Sequence, residues 1–403
     1  MTILFLTIQH ITNISNRSIY TDLMRRFRNE GHSVYIVFPR ERRYKLGTSF
    51  TVQDGVHLLG VKTLNIQKTN VIEKGIGTIL LEGQFKRVIQ KYLNKVSFDL
   101  ILYSTPPITF TNVVKDMKRR NPQAISYLLL KDIFPQNAVD MGMLSKNSLL
   151  YRYFRCKEMA LYRHSNFIGC MSPANVNFVL KHNAFISPCR VEVAPNSIEL
   201  VERGEKVDRK QIRQKYNLPV DKPIFIYGGN LGKPQGVNFL IECLNANSGR
   251  TDCHFLVVGN GTEYAKLESW YCQEKPQNVS LFARLPKADY DCLVQSCDVG
   301  LIFLDYRFTI PNYPSRLLSY LEYKIPIIAA TDLSTDIGRI AEENGYGYSC
   351  ESNSIIQFTA CVNKFLQYPN TIRTMGEKGY AFLLQNYLVE HTYKKIIVHV
   401  IKK

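Results

Sequence analysis

Short apolar runs of four to eight residues alternate along the whole chain with longer stretches whose apolar positions recur at helical spacing, the pattern of β-α-β units built on parallel sheets. In the first half the runs at 2–7 (TILFLT), 33–39, 56–61, 99–104, 124–130, 166–172 and 191–196 predict strands, and RSIYTDLMRRFRNEGH predicts a helix stopped by Gly31. The pattern restarts in the second half, with strands expected at 223–229, 253–260, 279–284, 299–304, 325–330 and 345–350. The polar stretch 199–222 between the halves reads as a linker leading into a helix. The fold class expected is therefore α/β, with two doubly wound domains in tandem at 1–198 and 199–379. Ligands of such sheets bind where loops leave the carboxyl ends of strands, so the cleft between the domains is the expected site.

Length agrees with this division, because 403 residues exceed one ordinary core. No apolar run reaches the 18 or so residues of a membrane span, and the opening TILFLT reads as a strand rather than a leader. The ten cysteines include no C-x-x-C pair, which argues against zinc and a disulfide framework and fits a reducing cytoplasm. Charge is distributed unevenly. Residues 1–200 hold 27 Lys and Arg against 13 Asp and Glu, or +14, while residues 201–403 hold 24 against 21, or +3, giving the total of +17. Basic clusters at 39–45, 115–120 and 151–163 interleave with Tyr and Phe, a mixture suited to an anionic membrane surface. A solubilising surface is the plain alternative. No nucleic-acid-binding signature accompanies the charge.

Several motifs fall at expected strand ends. FIYGGNLGKPQG supplies Gly228, Gly229, Gly232 and Gly236 with Lys233 ahead of a helix, an arrangement open to an anion, although it matches neither a dinucleotide fingerprint nor a Walker loop. VVGNGTEY repeats the arrangement with Gly259 and Gly261, where Asn260 or Thr262 is placed to cap the next helix. PNYPSRLL offers Pro314 for a first helical turn, Ser315 for a hydroxyl and backbone N–H, and Arg316 as a fork donor for an oxyanion. Lys131 and Asp132 end the buried strand YLLL, as working groups or as an ordinary salt bridge. The DYD at 289–291 lies at a helix start and reads as a cap rather than a metal motif.

In this order the GGNLGKPQG, VVGNG, NVSLFARLPKADY, PSRLLSYLEYKIP and KDIFPQNAVDMGML segments resemble a retaining GT-B glycosyltransferase of family 4, of the bacterial capsule and O-antigen type. The resemblance extends to transferases of N-acetyl-fucosamine-type sugars. It implies two Rossmann-like domains with the active site in the interdomain cleft and a final helix, about 380–403, crossing back to the first domain. A UDP-sugar donor would meet Gly228, Gly229, Asn230, Lys233, Gly259, Gly261, Arg284, Pro314, Ser315, Arg316 and Ser319. Asp132 and Lys131 would be catalytic, with Asn16 and Arg17 of the first loop at the acceptor. The acceptor implied is an undecaprenyl-diphosphate-linked saccharide at the inner face of the plasma membrane, with no cofactor or metal. The chain departs from the family where its two glutamates would stand, at Pro311 and Ser319, where its Arg and Lys would stand, at Asn230 and Gln235, and in the first loop, which has Asn13, Asn16 and Arg17 in place of Gly-Gly. A UDP-sugar 2-epimerase shares the architecture, and a basic nucleic-acid-binding protein is the alternative outside enzymes.

Overall fold

The computed structural model describes residues 1–67, 69–200 and 207–401. It divides into two compact units, one formed by Met1–Glu199 with Leu388–Lys403 and the other by Leu200–Tyr387.

The first unit begins with β1 (Thr2–Leu6), α1 (Ile19–Asn29), β2 (Ser33–Glu41), β3 (Ser49–Gln53) and β4 (Val56–Thr63). There follow α2 (Val71–Tyr92), β5 (Leu100–Ser104), α3 (Thr111–Arg120), β6 (Ile125–Leu130), α4 (Gln136–Asp140), α5 (Leu149–His164), β7 (Phe167–Cys170), α6 (Pro173–His182) and β8 (Val191–Val193). Its sheet runs β3-β4-β2-β1-β5-β6-β7-β8, parallel except where β3 meets β4. The central strands are largely apolar and buried because helices cover both faces. Ile3 stands between Val34 and Leu100, and this layer closes on Leu23, Met24 and Phe27 of α1. Ser18 caps α1 by accepting from the Thr21 N–H at 3.1 Å, and Gly31 turns the chain out of it with φ +79°.

The second unit comprises α7 (Arg209–Lys215), β9 (Ile224–Asn230), α8 (Val237–Ala246), β10 (His254–Asn260), α9 (Tyr264–Glu274), β11 (Val279–Phe282) and α10 (Lys287–Gln295). It continues through β12 (Val299–Phe303), α11 (Arg316–Glu322), β13 (Ile327–Thr331), α12 (Ile337–Glu343), β14 (Gly347–Glu351), α13 (Ile355–Gln367) and α14 (Asn370–Asn386). Its six strands are all parallel in the order β11-β10-β9-β12-β13-β14. Phe225, Phe255, Leu301 and Ile328 pack against α8 and α13 in its core.

Two features depart from what the sequence predicts. Strand β3 is absent from the predicted strands; its Phe50 and Val52 are exposed, so the edge strand lacks the buried run that marks its neighbours. The return to the first unit starts at Leu388 rather than near 380, because α14 continues unbroken to Asn386. The last helix, α15 (Val389–Ile401), then packs on α1, with Tyr393 edge-on to Phe27 at 5.0 Å, and Thr392 donates to Ser197 at 2.9 Å. Finally, α7 is the helix expected after the linker, while residues 201–206 of that linker lie outside the described residues.

Candidate functional site

At the carboxyl edge of the second sheet three loops are tied together by their backbones. The Leu231 N–H donates to the Asn260 carbonyl at 3.0 Å, the Glu263 N–H returns to the Leu231 carbonyl at 2.9 Å, and the Asp305 N–H donates to the Pro234 carbonyl at 3.0 Å. These bonds join the ends of β9, β10 and β12, and they explain two glycines: a Cβ on Gly259 would stand 2.0 Å from the Gly229 carbonyl oxygen, and one on Gly261 would stand 2.2 Å from that of Leu231. Both are required by backbone packing, not by room for a ligand. Gly228 is required by a side chain, since its Cβ would fall 1.8 Å from the Tyr290 hydroxyl of α10. Gly229, exposed at φ +121°, is the glycine that leaves backbone open at this edge.

Arg316 lies against that open glycine. Its guanidinium carbon sits 4.3 Å from the centre of the Tyr227 ring, and its Nη2 would be 3.6 Å from a Cβ on Gly229. Nη1 is buried and has no hydrogen-bond partner among the described residues. A desolvated cationic donor without an acceptor is costly unless an anion completes it. Tyr320, one helical turn after Arg316, accepts from the Gly228 N–H at 3.2 Å and donates to the Ile226 carbonyl at 3.1 Å, so it fixes α11 against the end of β9. Burial pushes the Tyr290 phenol up to about 12, leaving it neutral beside the guanidinium. The aromatic cage formed by Tyr227, Tyr290 and Tyr320 is not among the residues the sequence singles out, although Tyr290 lies inside the DYD and Tyr320 four residues beyond Arg316.

Other expected residues take different places. Lys233 is exposed on the 3-10 turn Lys233–Gln235, ahead of α8. Asn230 and Gln235, standing where the family carries cations, bond each other at 2.8 Å, and Gln235 Oε1 also accepts from the Gly232 N–H. The loop is thus stapled by amides. Arg284 is exposed between β11 and α10, and Ser319 is half-buried on α11. Ser315 is the N-cap of α11, but its side chain makes no cap bond, and Pro314 falls one residue before that cap rather than in the first turn. Asn260 and Thr262 are not the cap of α9; Glu263 holds that position, because the tie to Leu231 draws the chain through it. The DYD is not a cap either. Its acids follow Pro286, the N-cap, and pair outward, Asp289 with Lys215 and Asp291 with Lys287. Among the described residues no group of three or more His, Cys, Asp or Glu is placed to hold a metal ion.

The carboxyl edge of the first sheet carries Lys131 and Asp132 directly after β6. The Thr105 hydroxyl, at the end of β5, accepts from the Lys131 N–H at 3.0 Å and donates to the Asp132 carbonyl at 3.1 Å. The two side chains then part, so they are not the salt bridge allowed as an alternative. Asn137 of α4 donates to both carboxylate oxygens of Asp132 at 2.8 Å, while Lys131 Nζ donates to the Ala194 carbonyl at 3.3 Å. Burial raises the Asp132 carboxyl to about 6 and lowers the Lys131 ammonium to about 7. In the first loop Asn16 donates to the Thr12 hydroxyl, and Arg17 is spent on the Glu199 carbonyl at 2.7 Å, bracing this loop to the chain beyond β8. The basic clusters are also largely engaged: Arg42 with Glu73, Arg43 with Glu41, Arg119 and Arg120 with Asp116, and Arg155 with Glu158.

Comparison with known proteins gives this geometry a setting. Residues 208–382 match the family model described as Glycosyl transferases group 1, a stretch lying within the second unit. The probable glycosyltransferase WbjE of Pseudomonas aeruginosa is 24% identical over 271 residues, which span 64% of this chain and 64% of that relative. Among solved structures, HepE of Anabaena in complex with UDP and glucose superposes with a TM-score of 0.72 at 14% identity, covering all of both chains. WaaG, a glycosyltransferase involved in lipopolysaccharide biosynthesis, gives 0.67 at 15% identity over 98% of each. The fold is that of the GT-B glycosyltransferases, and residues 208–382 of the second unit resemble the group 1 glycosyl transferases.

Proposed function

We propose that the chain is a glycosyltransferase that moves a sugar from a UDP-sugar to a lipid-linked saccharide, with retention, in the synthesis of a bacterial surface polysaccharide such as capsule or O-antigen. The observation that carries this reading is Arg316, a desolvated guanidinium with an unpartnered donor beside the open backbone of Gly229, in a unit matched by the group 1 model. UDP bound to HepE supports a nucleotide-sugar donor, and the role of WaaG in lipopolysaccharide supports a surface polysaccharide.

In this reading the diphosphate rests at the carboxyl edge of the second sheet. Arg316 takes its charge, the N–H groups at the start of α8 face it, and Lys233 and Arg284 stand exposed at the rim. As the bond from sugar C1 to the UDP oxygen breaks, the acceptor hydroxyl attacks C1 on the same face, and its proton passes to the leaving phosphate oxygen. Fixed cations and helix N–H groups stabilise that leaving group, so the reaction needs no metal. The transferred sugar is an N-acetylated deoxyhexosamine, Asp132 and Lys131 of the first unit are catalytic residues, and the acceptor is an undecaprenyl-diphosphate-linked saccharide at the cytoplasmic leaflet.

The test is transfer of label from a panel of UDP-, GDP- and dTDP-sugars to lipid extracts. Label moving from a UDP-sugar to lipid only when extract is present supports the reading. A UDP-sugar converted to its epimer without acceptor would replace it with the epimerase reading. Arg316→Ala should lower the rate of transfer by about 2–4 kcal/mol in activation free energy, the effect of losing a fixed oxyanion donor.

A further inference from the structure

The first turns of α2 and α5 hold apolar side chains out to solvent. On α2, Ile76, Ile79 and Leu80 follow the i, i+3, i+4 spacing of a single stripe, with Ile79 61% exposed. On α5, Leu149 and Leu150 stand four and three residues before Tyr153 on one exposed face, and Leu149 is 81% exposed. The two stripes are neighbours. Glu82, one turn beyond Ile79, is bridged at 3.0 Å by Lys157, one turn beyond Tyr153, whose ammonium also lies 5.9 Å from the Tyr153 ring.

Topology gives this face its direction. Helix α2 connects β4 to β5 and α5 connects β6 to β7, all parallel strands, so both helices begin at the carboxyl edge that also holds Lys131 and Asp132. Its charge is one-sided. Lys146 and Arg152 are exposed and form no ion pair among the described residues. The nearby acids are already occupied, Glu73 by Arg42, Thr69 and Asn65, and Glu82 by Lys157 and Asn112.

We propose that the amino-terminal ends of α2 and α5 enter the headgroup layer of an anionic phospholipid bilayer, holding the first unit's carboxyl edge at the membrane. Leucine and isoleucine would pass below the headgroups, Tyr153 would lie at their level, and Lys146 and Arg152 would meet lipid phosphates. A second copy of the chain fits less well, because a twofold interface would set these cations against their own copies. The proposal rests on the lipid-linked acceptor of the function proposed above. It also relocates the contact from the clusters around Arg42, Arg43 and Arg155, whose charges are spent within the fold.

The test is co-sedimentation of the full-length protein with phosphatidylcholine vesicles, with and without phosphatidylglycerol, alongside labelled-sugar transfer in detergent. The wild-type protein should sediment with the anionic vesicles at low salt and little with the neutral ones. The double variant Leu149→Glu/Leu150→Glu should lose most of that binding. The pair Lys146→Ala/Arg152→Ala should lower it by roughly fivefold per charge removed. Ile356→Glu, which changes a similarly exposed residue of the second unit, should sediment as wild type. Variants that bind like wild type would overturn the assignment, as would a wild-type dimer that Leu149→Glu/Leu150→Glu converts to a monomer. A protein that transfers sugar in detergent without sedimenting sinks only this surface. One that sediments without transferring sugar sinks only the transferase reading.

Discussion

Asp132 and Lys131 are adjacent in sequence, yet burial moves them toward each other on the pH scale, to about 6 and about 7. The Asp132 carboxyl is raised from its unfolded value near 3.8, so folding favours its proton and stability falls as pH rises from there to about 6. The Lys131 ammonium is lowered from 10.5, so folding disfavours its proton and stability falls as pH drops from there to about 7. Both costs are in force between these two folded values. Lys131→Met should therefore raise the melting temperature by a few degrees near pH 6, and the gain should vanish above about pH 10, read from thermal denaturation at both pH values. An equal change at both would mean that lost contacts, not charge burial, set the effect. For catalysis, Asp132→Asn should reduce turnover by roughly a hundredfold while leaving UDP affinity nearly unchanged, and should abolish any limb of the pH–rate profile near 6. A selective loss of UDP affinity would assign Asp132 to the donor instead.

Among the elements, the parallel strands are legible in the sequence because both their faces are covered and they read as unbroken apolar runs, as in the fully buried LILYS of β5. Strand β3 is not, because an exposed edge strand has no such run. The glycine motifs are legible as strand ends but ambiguous in purpose. Nothing in VVGNG tells a glycine that receives phosphate from one pressed against a neighbouring backbone. The structure separates them, and stability can check it. Gly259→Ala should cost about 1–3 kcal/mol or more, because its Cβ would stand 2.0 Å from the Gly229 oxygen and the ends of β9 and β10 must part. Gly83→Ala, on α2 with open space around its Cβ, should instead gain about 0.5–1 kcal/mol through helix propensity. Urea denaturation midpoints distinguish the two, and a neutral Gly259→Ala would mean that the loops are not drawn together as described. The tyrosine cage is illegible for a related reason: Tyr227, Tyr290 and Tyr320 come from β9, α10 and α11, and only their convergence on Arg316 reveals them.

Across the whole molecule, the positive charge of the first half suggests a membrane surface, yet several cations of its basic clusters are already paired within the fold. Arg42, Arg43 and Arg155 are held by Glu73, Glu41 and Glu158, whereas Arg152 is exposed without an ion pair among the described residues. Net charge counts ionisable groups and cannot say which remain available after folding. The same distinction gives Arg316 its weight, since a half-buried cation whose buried Nη1 has no partner says more about a ligand than a cluster of paired ones. Isothermal titration of UDP into the full-length protein and into Arg316→Ala tests this most directly. UDP should bind the wild-type protein saturably and the variant with an affinity at least roughly tenfold weaker, as expected for losing a charged hydrogen-bond donor to the diphosphate. Equal affinity for UDP in the two proteins would contradict that role of Arg316.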